Sequence, residues 1–227
     1  MEKVLAPPPV AATRIVPRLI RHHAALLAVS VLSVAALYFT RPYKDWISRL
    51  SFATAYPALA LLVATLLIGP WNLLRKRRNP ISSDLRRDVG IWAGILGLLH
   101  VAIGQNVHLR GRPWLYYVYS APEHHTGLRH DVFGLANYTG LIATLFLLAL
   151  LVTSNDASIR RLGTPRWKQL QRWNYAIFVL VAVHGIGYQT IEKQKLPFVS
   201  TLAVLLLLAL VFQFAGVLRR RAAAART

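Results

Sequence analysis

Six long apolar runs, separated by short polar segments, constrain this chain more than any other feature of its sequence. A helix needs about 20 mainly apolar residues to cross the hydrocarbon core of a bilayer. Hydrophobic residues make up 55% of the sequence and charged residues only 15%, whereas soluble domains carry about 25% charged residues. We therefore predict an all-α integral membrane protein, built as a six-transmembrane-helix bundle. The predicted spans cover residues 22–40, 50–74, 89–109, 131–153, 173–191 and 197–218.

The basic residues predict the orientation of the spans. With the N-terminus in the cytoplasm, 19 of the 27 lysines and arginines fall in cytoplasmic segments and 8 in outer segments. The positive-inside rule therefore favours both termini in the cytoplasm. The predicted organisation is a cytoplasmic arm at 1–21, a membrane domain at 22–218 and a basic tail at 219–227. The net charge of +19 comes in short clusters between apolar runs, which favours a bilayer with anionic lipids over nucleic acid as the partner.

Two of the eight histidines, His100 and His184, lie well inside apolar runs. An ionisable side chain at that depth is costly and indicates function. His100 lies 13 residues beyond Arg87, and His184 lies 12 residues beyond Arg172, so both are roughly 18–20 Å from the cytoplasmic boundary. Odd-numbered spans run in the same direction, so the two imidazoles are predicted to meet at one level, in the outer half of the bilayer. A haem b with two histidine ligands requires this arrangement.

Other interpretations of the two histidines stay open at this point. They could be buried hydrogen-bond donors or part of a proton path, and the glycines around them could serve helix packing instead of the close approach of a flat macrocycle. A second haem would need further histidines 13 residues inward, where the chain has Arg87 and Gln171, so the pattern predicts one haem. Arg87 and Arg172 are candidate partners of haem propionates or phosphate groups. The glycines in question are Gly94, Gly97, Gly104, Gly185 and Gly187.

The outer surface carries several further polar and aromatic residues. His108 follows His100 by eight residues and is predicted on nearly the same helix face, about 12 Å further out. The loop 110–130 is rich in aromatic residues and contains His124 and His125. It predicts an interfacial aromatic belt, with a cap over a cofactor or a partner-binding surface as alternatives.

Two absences narrow the chemistry. The sequence has no cysteine, which excludes thiolate ligation of haem, c-type haem attachment, cysteine-ligated iron–sulfur clusters and cysteine nucleophiles. No Asp or Glu is expected inside the spans, which disfavours a metal or proton transporter. His22 and His23 at the inner interface need no special role.

Three stretches of the sequence resemble the ferric-reductase-like transmembrane family, over about residues 50–215. They are 64–70, which closes the second span, 86–92, which leads to His100, and 153–175, which leads to His184. The nearest members are haem-binding membrane subunits of periplasmic methionine sulfoxide reductase systems. Carried over by position, His100 and His184 match family haem ligands. Gln171 departs from the family, which commonly has a further histidine there.

The resemblance implies a haem b protein of the bacterial inner membrane. Members of the family pass electrons across or within the membrane through b-type haem. In this chain we expect the electrons to come from quinol or a separate flavoprotein and to leave to a periplasmic acceptor, so quinone and FMN are further candidate cofactors. The chain ends nine residues after the sixth span without a dinucleotide fingerprint. We therefore expect the electron-transfer subunit of an oxidoreductase, with a protein partner at the periplasmic face or in a larger complex. The alternative is an accessory or structural subunit of a respiratory or photosynthetic membrane complex, with haem retained or lost.

Overall fold

The structure is a computed structural model that describes residues 19–40, 43, 45–75, 83–109, 111–120 and 127–225. In these ranges the chain forms eight α-helices and no strands, with one isolated antiparallel bridge between Val118 and Leu128. The helices are α1 (Ala25–Thr40), α2 (Trp46–Leu74), α3 (Ser83–Gly104), α4 (Val132–Val152), α5 (Asp156–Leu162), α6 (Thr164–Leu170), α7 (Asn174–Ile191) and α8 (Leu196–Ala224).

Six helical segments of the described chain are long and apolar enough to cross a membrane. This confirms the prediction of an all-α protein with six spans. α1 extends its span by a π-helical turn at Leu19–Ala24, and α6 and α7 join through a 3-10 turn at Gln171–Trp173 into the fifth span. The spans are Ile20–Thr40, Trp46–Leu74, Asp84–Gly104, Val132–Val152, Thr164–Ile191 and Leu196–Ala224.

Side-chain caps and helix-breaking residues set the ends of several helices. The carboxylate of Asp45 accepts the backbone N–H of Ser48 and begins α2, and Asp131 accepts the backbone N–H of Gly134 and begins α4. Such caps satisfy backbone donors that the first helical turn leaves free. Gly163, with φ of 74°, separates the short helices α5 and α6 in a conformation that glycine adopts without strain.

α2 lies at the centre of the bundle. Half of its most apolar stretch is buried, compared with 6% for α1. It packs against α1, α3 and α8, while α4 packs against α7 and α3. One buried cluster joins α2, α7 and α8 and a second joins α2, α3, α4 and α7. The outward-facing side chains of α1 and α8 are large and apolar, as lipid contact requires. They include Val29, Leu32, Leu207, Leu210 and Phe214.

The two ends of the bundle differ in charge. Because successive spans alternate in direction, the end of α2, the start of α3, the helices α5 and α6 and the end of α8 lie together. We call this the basic end. The opposite end carries residues 105–109, 111–120 and 127–131, which we call the cap. The basic end holds Arg75, Arg86, Arg87, Arg160, Arg161, Arg166, Lys168, Arg172, Arg219, Arg220 and Arg221.

The third span is displaced from its predicted position. α3 begins at Ser83 and ends at Gly104, not at 89 and 109. The Gly104 carbonyl accepts the hydroxyl of Tyr116, and the chain turns away from the helix axis over residues 105–107. The prediction that His108 continues the helix face of His100 is therefore wrong.

The predicted termini are covered only in part. α8 continues through Ala224, so the first residues of the predicted tail at 219–227 are helical. Residues 1–18 of the predicted arm, and His124 and His125 of the outer loop, lie outside the described residues.

Candidate functional site

His100 on α3 and His184 on α7 lie next to each other in the interior of the bundle. Their ring centroids are 6.2 Å apart, and the ring planes are inclined by 81°. This distance agrees with the prediction that the two imidazoles meet at one level. We call them the histidine pair.

Each histidine of the pair is oriented by a backbone carbonyl of a neighbouring helix. The Nδ1 of His100 lies 3.0 Å from the carbonyl oxygen of Ser51 on α2, and the Nδ1 of His184 lies 2.8 Å from that of Ala136 on α4. A carbonyl only accepts hydrogen bonds, so both Nδ1 atoms carry the proton. In the neutral rings this leaves the Nε2 lone pairs free to bind a metal ion, which is the usual arrangement of metal-binding histidines.

The spacing of the pair also suits a shared metal ion. Because imidazole nitrogen binds a first-row metal ion at about 2 Å, two imidazoles on opposite sides of one ion have centroids roughly 6 Å apart. The observed 6.2 Å is close to this separation. The pair can therefore hold one transition-metal centre between two neutral nitrogen ligands.

The two halves of the site are built alike. The carbonyl of Ser51 also accepts the hydroxyl of Thr54, and the carbonyl of Ala136 also accepts that of Thr139. In each half the threonine follows the carbonyl residue by three positions on the same helix. In one half the histidine lies on α3 and the carbonyl on α2, and in the other the histidine lies on α7 and the carbonyl on α4.

A cavity of about 240 Å³ surrounds the histidine pair, and we call it the histidine cavity. No lysine or arginine occurs among the described residues that line it. Toward the centre of the bundle its walls are apolar, and toward the cap they carry His108, Tyr188 and Glu192. The apolar walls include Leu59, Leu62, Leu141, Leu147 and Val181.

Gly140 on α4 is a site residue that the sequence analysis missed. A Cβ atom at this position would lie 2.7 Å from the Nδ1 of His184, closer than non-bonded atoms approach. Gly140 therefore leaves the space that the imidazole occupies. Only the contact between α4 and α7 reveals this role, and no local sequence signal does.

A Cβ at each of the five glycines singled out in the sequence would meet a side chain of a neighbouring helix within 4 Å. Gly97, Gly104 and Gly185 line the histidine cavity. Gly94 faces Leu151, and a Cβ at Gly187 would lie 2.9 Å from the Cβ of Ala136. Helix packing accounts for these last two glycines.

The cap folds over the end of the histidine cavity that lies away from the basic end. Tyr116 is only 1% exposed; its hydroxyl donates to the Gly104 carbonyl and accepts the backbone N–H of His108. Tyr116 and Tyr117 both line the cavity. Burial raises the pKa of both phenols, so their hydroxyls stay protonated at neutral pH. These contacts favour the cap over the simple aromatic belt.

His108 lies on the cavity wall beneath the cap. Its Nε2 is 3.1 Å from Oε1 of Glu192, and its ring stacks on that of Tyr188 with centroids 6.1 Å apart. Tyr188 in turn contacts His184, with centroids 4.9 Å apart, and donates its hydroxyl to Asn137. A run of polar and aromatic side chains therefore connects the histidine pair with the cap.

Arg87 and Arg172 do not lie beside the histidine pair. They line a second cavity of about 300 Å³ at the basic end, and so does Gln171. The two positions that a second haem would need therefore share this cavity. No histidine occurs among its described lining residues.

The buried carboxylate of Asp88 contradicts two expectations: that His22 and His23 have no special role, and that no acidic residue lies inside a span. Asp88 is 0% exposed; its Oδ2 is 2.7 Å from Nδ1 of His22, and its Oδ1 is 3.4 Å from Nε2 of His23. The indole N–H of Trp92 donates to Nδ1 of His23. His22 and His23 thus tie the first span to α3. The expectation that no acidic residue lies inside a span is wrong, because α3 begins six residues earlier than predicted. Asp88 lines neither of the two cavities.

The chain matches one protein-family model and is similar to known proteins. The family model described as ferric reductase like transmembrane component matches residues 54–183. The chain is also similar to the protein-methionine-sulfoxide reductase heme-binding subunits MsrQ of Yersinia pseudotuberculosis serotype O:1b (strain IP 31758) and Yersinia pestis (strain Pestoides F). Identity to each is 31% over 170 residues, which cover 74% of this chain and 74% and 73% of the respective relatives.

Proposed function

The chain belongs to the ferric reductase-like transmembrane family, and on this premise we propose that it is a membrane electron-transfer subunit with one haem b. His100 and His184 are the proposed ligands. The observation that carries the proposal is the histidine pair itself, with both Nδ1 protons bound to carbonyls and both Nε2 lone pairs free. The relatives' description as heme-binding subunits supports it.

The donor set fits a porphyrin better than a bare metal ion. The described part of the chain contains no group of three or more His, Asp or Glu side chains placed to hold a metal. A centre held by the histidine pair therefore needs a cofactor that supplies its other ligands. A bis-histidine haem b supplies one-electron transfer and leaves no open coordination position for oxygen.

The protein's own contribution is orientation and exclusion of water. The Ser51 and Ala136 carbonyls fix the tautomer and direction of the two rings, and such partners also make the ligating nitrogen more basic. Gly140 leaves the space that the His184 ring needs. The apolar walls and the cap, with the buried Tyr116, limit the access of water to the site.

The electron donor in this proposal is quinol or a flavoprotein, and the acceptor is a periplasmic protein. The cap end of the histidine cavity suits quinol because the His108–Glu192 pair there can take up protons that quinol oxidation releases. The cations of the basic end suit an acidic flavoprotein surface, where FMN would be the partner's cofactor.

The proposed orientation places the basic end, the arm at 1–21 and the tail at 219–227 in the cytoplasm of a bacterial inner-membrane protein. Because the sequence has no cysteine, single introduced cysteines report topology cleanly. Leu128→Cys in the exposed cap should react with a membrane-impermeant maleimide in intact spheroplasts, and Ala157→Cys in α5 only after lysis. The opposite labelling pattern would show that the orientation is inverted.

A reduced-minus-oxidised spectrum of the purified full chain tests the cofactor assignment. We expect a b-type band in the wild type, and loss of the band by about tenfold or more in His100→Ala and in His184→Ala. The matched control is His130→Ala, an exposed histidine outside the cavity. His184→Met should retain a band with a raised reduction potential, because a thioether ligand raises it. A folded wild type without a haem band would leave the accessory-subunit function in its place.

A further inference from the structure

The basic-end cavity carries an unusual concentration of positive charge. Its cations come from α3, from α6, from the turn that joins α6 to α7, and from the end of α8. No Asp or Glu occurs among its described lining residues. Beneath the cations the walls are apolar. The cations are Arg86, Arg87, Lys168, Arg172 and Arg220, and the apolar residues include Leu66, Pro70, Leu147, Leu150 and Leu151.

Arg87 is the buried member of this set. Its side chain is 7% exposed, and its guanidinium is paired through Nη1 with Asp156. Its Nε is buried and has no hydrogen-bond partner. A buried donor of a charged group that lacks an acceptor is costly, so the arrangement favours an anion in the cavity.

The other cations lack acidic partners among the described residues, where Arg86, Lys168, Arg172 and Arg220 form no ion pair. Gathering five cations around one space is unfavourable unless a group of opposite charge joins them. The cavity also offers neutral donors. Gln171 lies beside Ser154, with its Nε2 3.4 Å from the serine hydroxyl.

We propose that the basic-end cavity binds a phosphate group, borne by the headgroup of an anionic phospholipid or by a soluble phosphate compound. Phosphate presents several acceptor oxygens and is bound by arginine forks and lysine ammonium groups. The position suits a headgroup, because helix ends rich in cations lie at the depth of lipid phosphates. The apolar walls beneath suit an acyl chain. The proposal gives Arg87 and Arg172 a ligand class and does not depend on haem at the histidine pair.

Thermal unfolding of the full chain tests this proposal in two arms. In detergent, inorganic phosphate is titrated against chloride at matched ionic strength. In nanodiscs, phosphatidylglycerol is compared with phosphatidylcholine. We expect stabilisation in at least one arm, and the arm that responds identifies the source of the phosphate. The variant Lys168→Gln/Arg172→Gln should need about tenfold more ligand or more for half of the effect.

The matched control is Arg160→Gln/Arg161→Gln, which removes two exposed cations of α5 that do not line the cavity. It should respond like the wild type. Absence of stabilisation in both arms, or an equal loss in the two double variants, would overturn the proposal. The haem band of Lys168→Gln/Arg172→Gln should be unchanged, so failure of phosphate binding and failure of haem binding are read separately.

Discussion

The histidine cavity and the basic-end cavity share five helices, α2, α3, α4, α7 and α8, and α6 contributes only to the second, yet their linings have opposite chemistry. The described lining of the first contains the histidine pair and no Lys or Arg, and that of the second has five cations and no histidine. Positions 13 residues apart distinguish them, since His100 corresponds to Arg87 and His184 to Gln171. The bundle thus creates space at two levels, and single side chains decide what each level can bind.

Depth in the membrane accounts for the difference. In the interior of the bundle a charged group is costly, and the histidine pair avoids that cost by staying neutral with each N–H bound to a carbonyl. At the basic end, long cationic side chains can reach the headgroup region and meet anions there.

The largest expected effect separates stability from ligand binding. Asp88→Ala should lower the free energy of unfolding by about 3 kcal/mol, because it leaves His22 and His23 without their buried partner. Denaturant unfolding in detergent measures this loss. Asp84→Ala, which removes an exposed carboxylate of the same helix, should change the value by only about 0.5 kcal/mol or less.

Asp88 lines neither cavity, so haem content per folded chain should not change in Asp88→Ala. A selective loss of haem in this variant would show that the contact of Asp88 with His22 and His23 supports the histidine cavity directly.

The second largest effect is expected from a substitution that disrupts only the histidine cavity. Gly140→Ala places a methyl group against the His184 ring and should weaken haem binding about 10- to 100-fold. Haem titration of the purified apoprotein measures it. Gly69→Ala is the control, because a Cβ there meets nothing within 4 Å. Wild-type haem affinity in Gly140→Ala would contradict the assigned position of His184.

The smallest effect concerns the cap. Tyr116→Phe removes a hydroxyl that bonds both Gly104 and His108 and should cost about 1 kcal/mol of stability. Tyr175→Phe removes a hydroxyl whose exposed contact is with the side chain of Gln213 and should cost less. Equal losses in the two variants would show that the cap is not anchored through Tyr116.

The sequence was sufficient for the fold and for the meeting of the two histidines. Long apolar runs fix helices in a bilayer, and equal spacing from basic boundaries places His100 and His184 at one level. The start of α3 was harder to predict from the sequence, because Asp88 interrupts the apolar run. Its carboxylate is paired with His22 and His23, which lie 66 and 65 residues away in the sequence.

Tertiary contacts decide the features that spacing could not predict. Gly140 has its role only because α4 packs against α7, and His108 leaves its helix because Tyr116 of the cap bonds to Gly104. The carbonyls of Ser51 and Ala136 carry no side-chain signal at all. Sequence spacing therefore predicted the level of the histidine pair but not the groups that orient it.

The haem-to-protein ratio and the electron paramagnetic resonance spectrum of the oxidised full chain together test the haem assignment most directly. We expect one haem per chain with a low-spin ferric signal, which is lost or becomes high-spin in His184→Ala. Two haems per chain, no haem in the folded wild type, or an unchanged low-spin signal in both His100→Ala and His184→Ala would contradict this assignment.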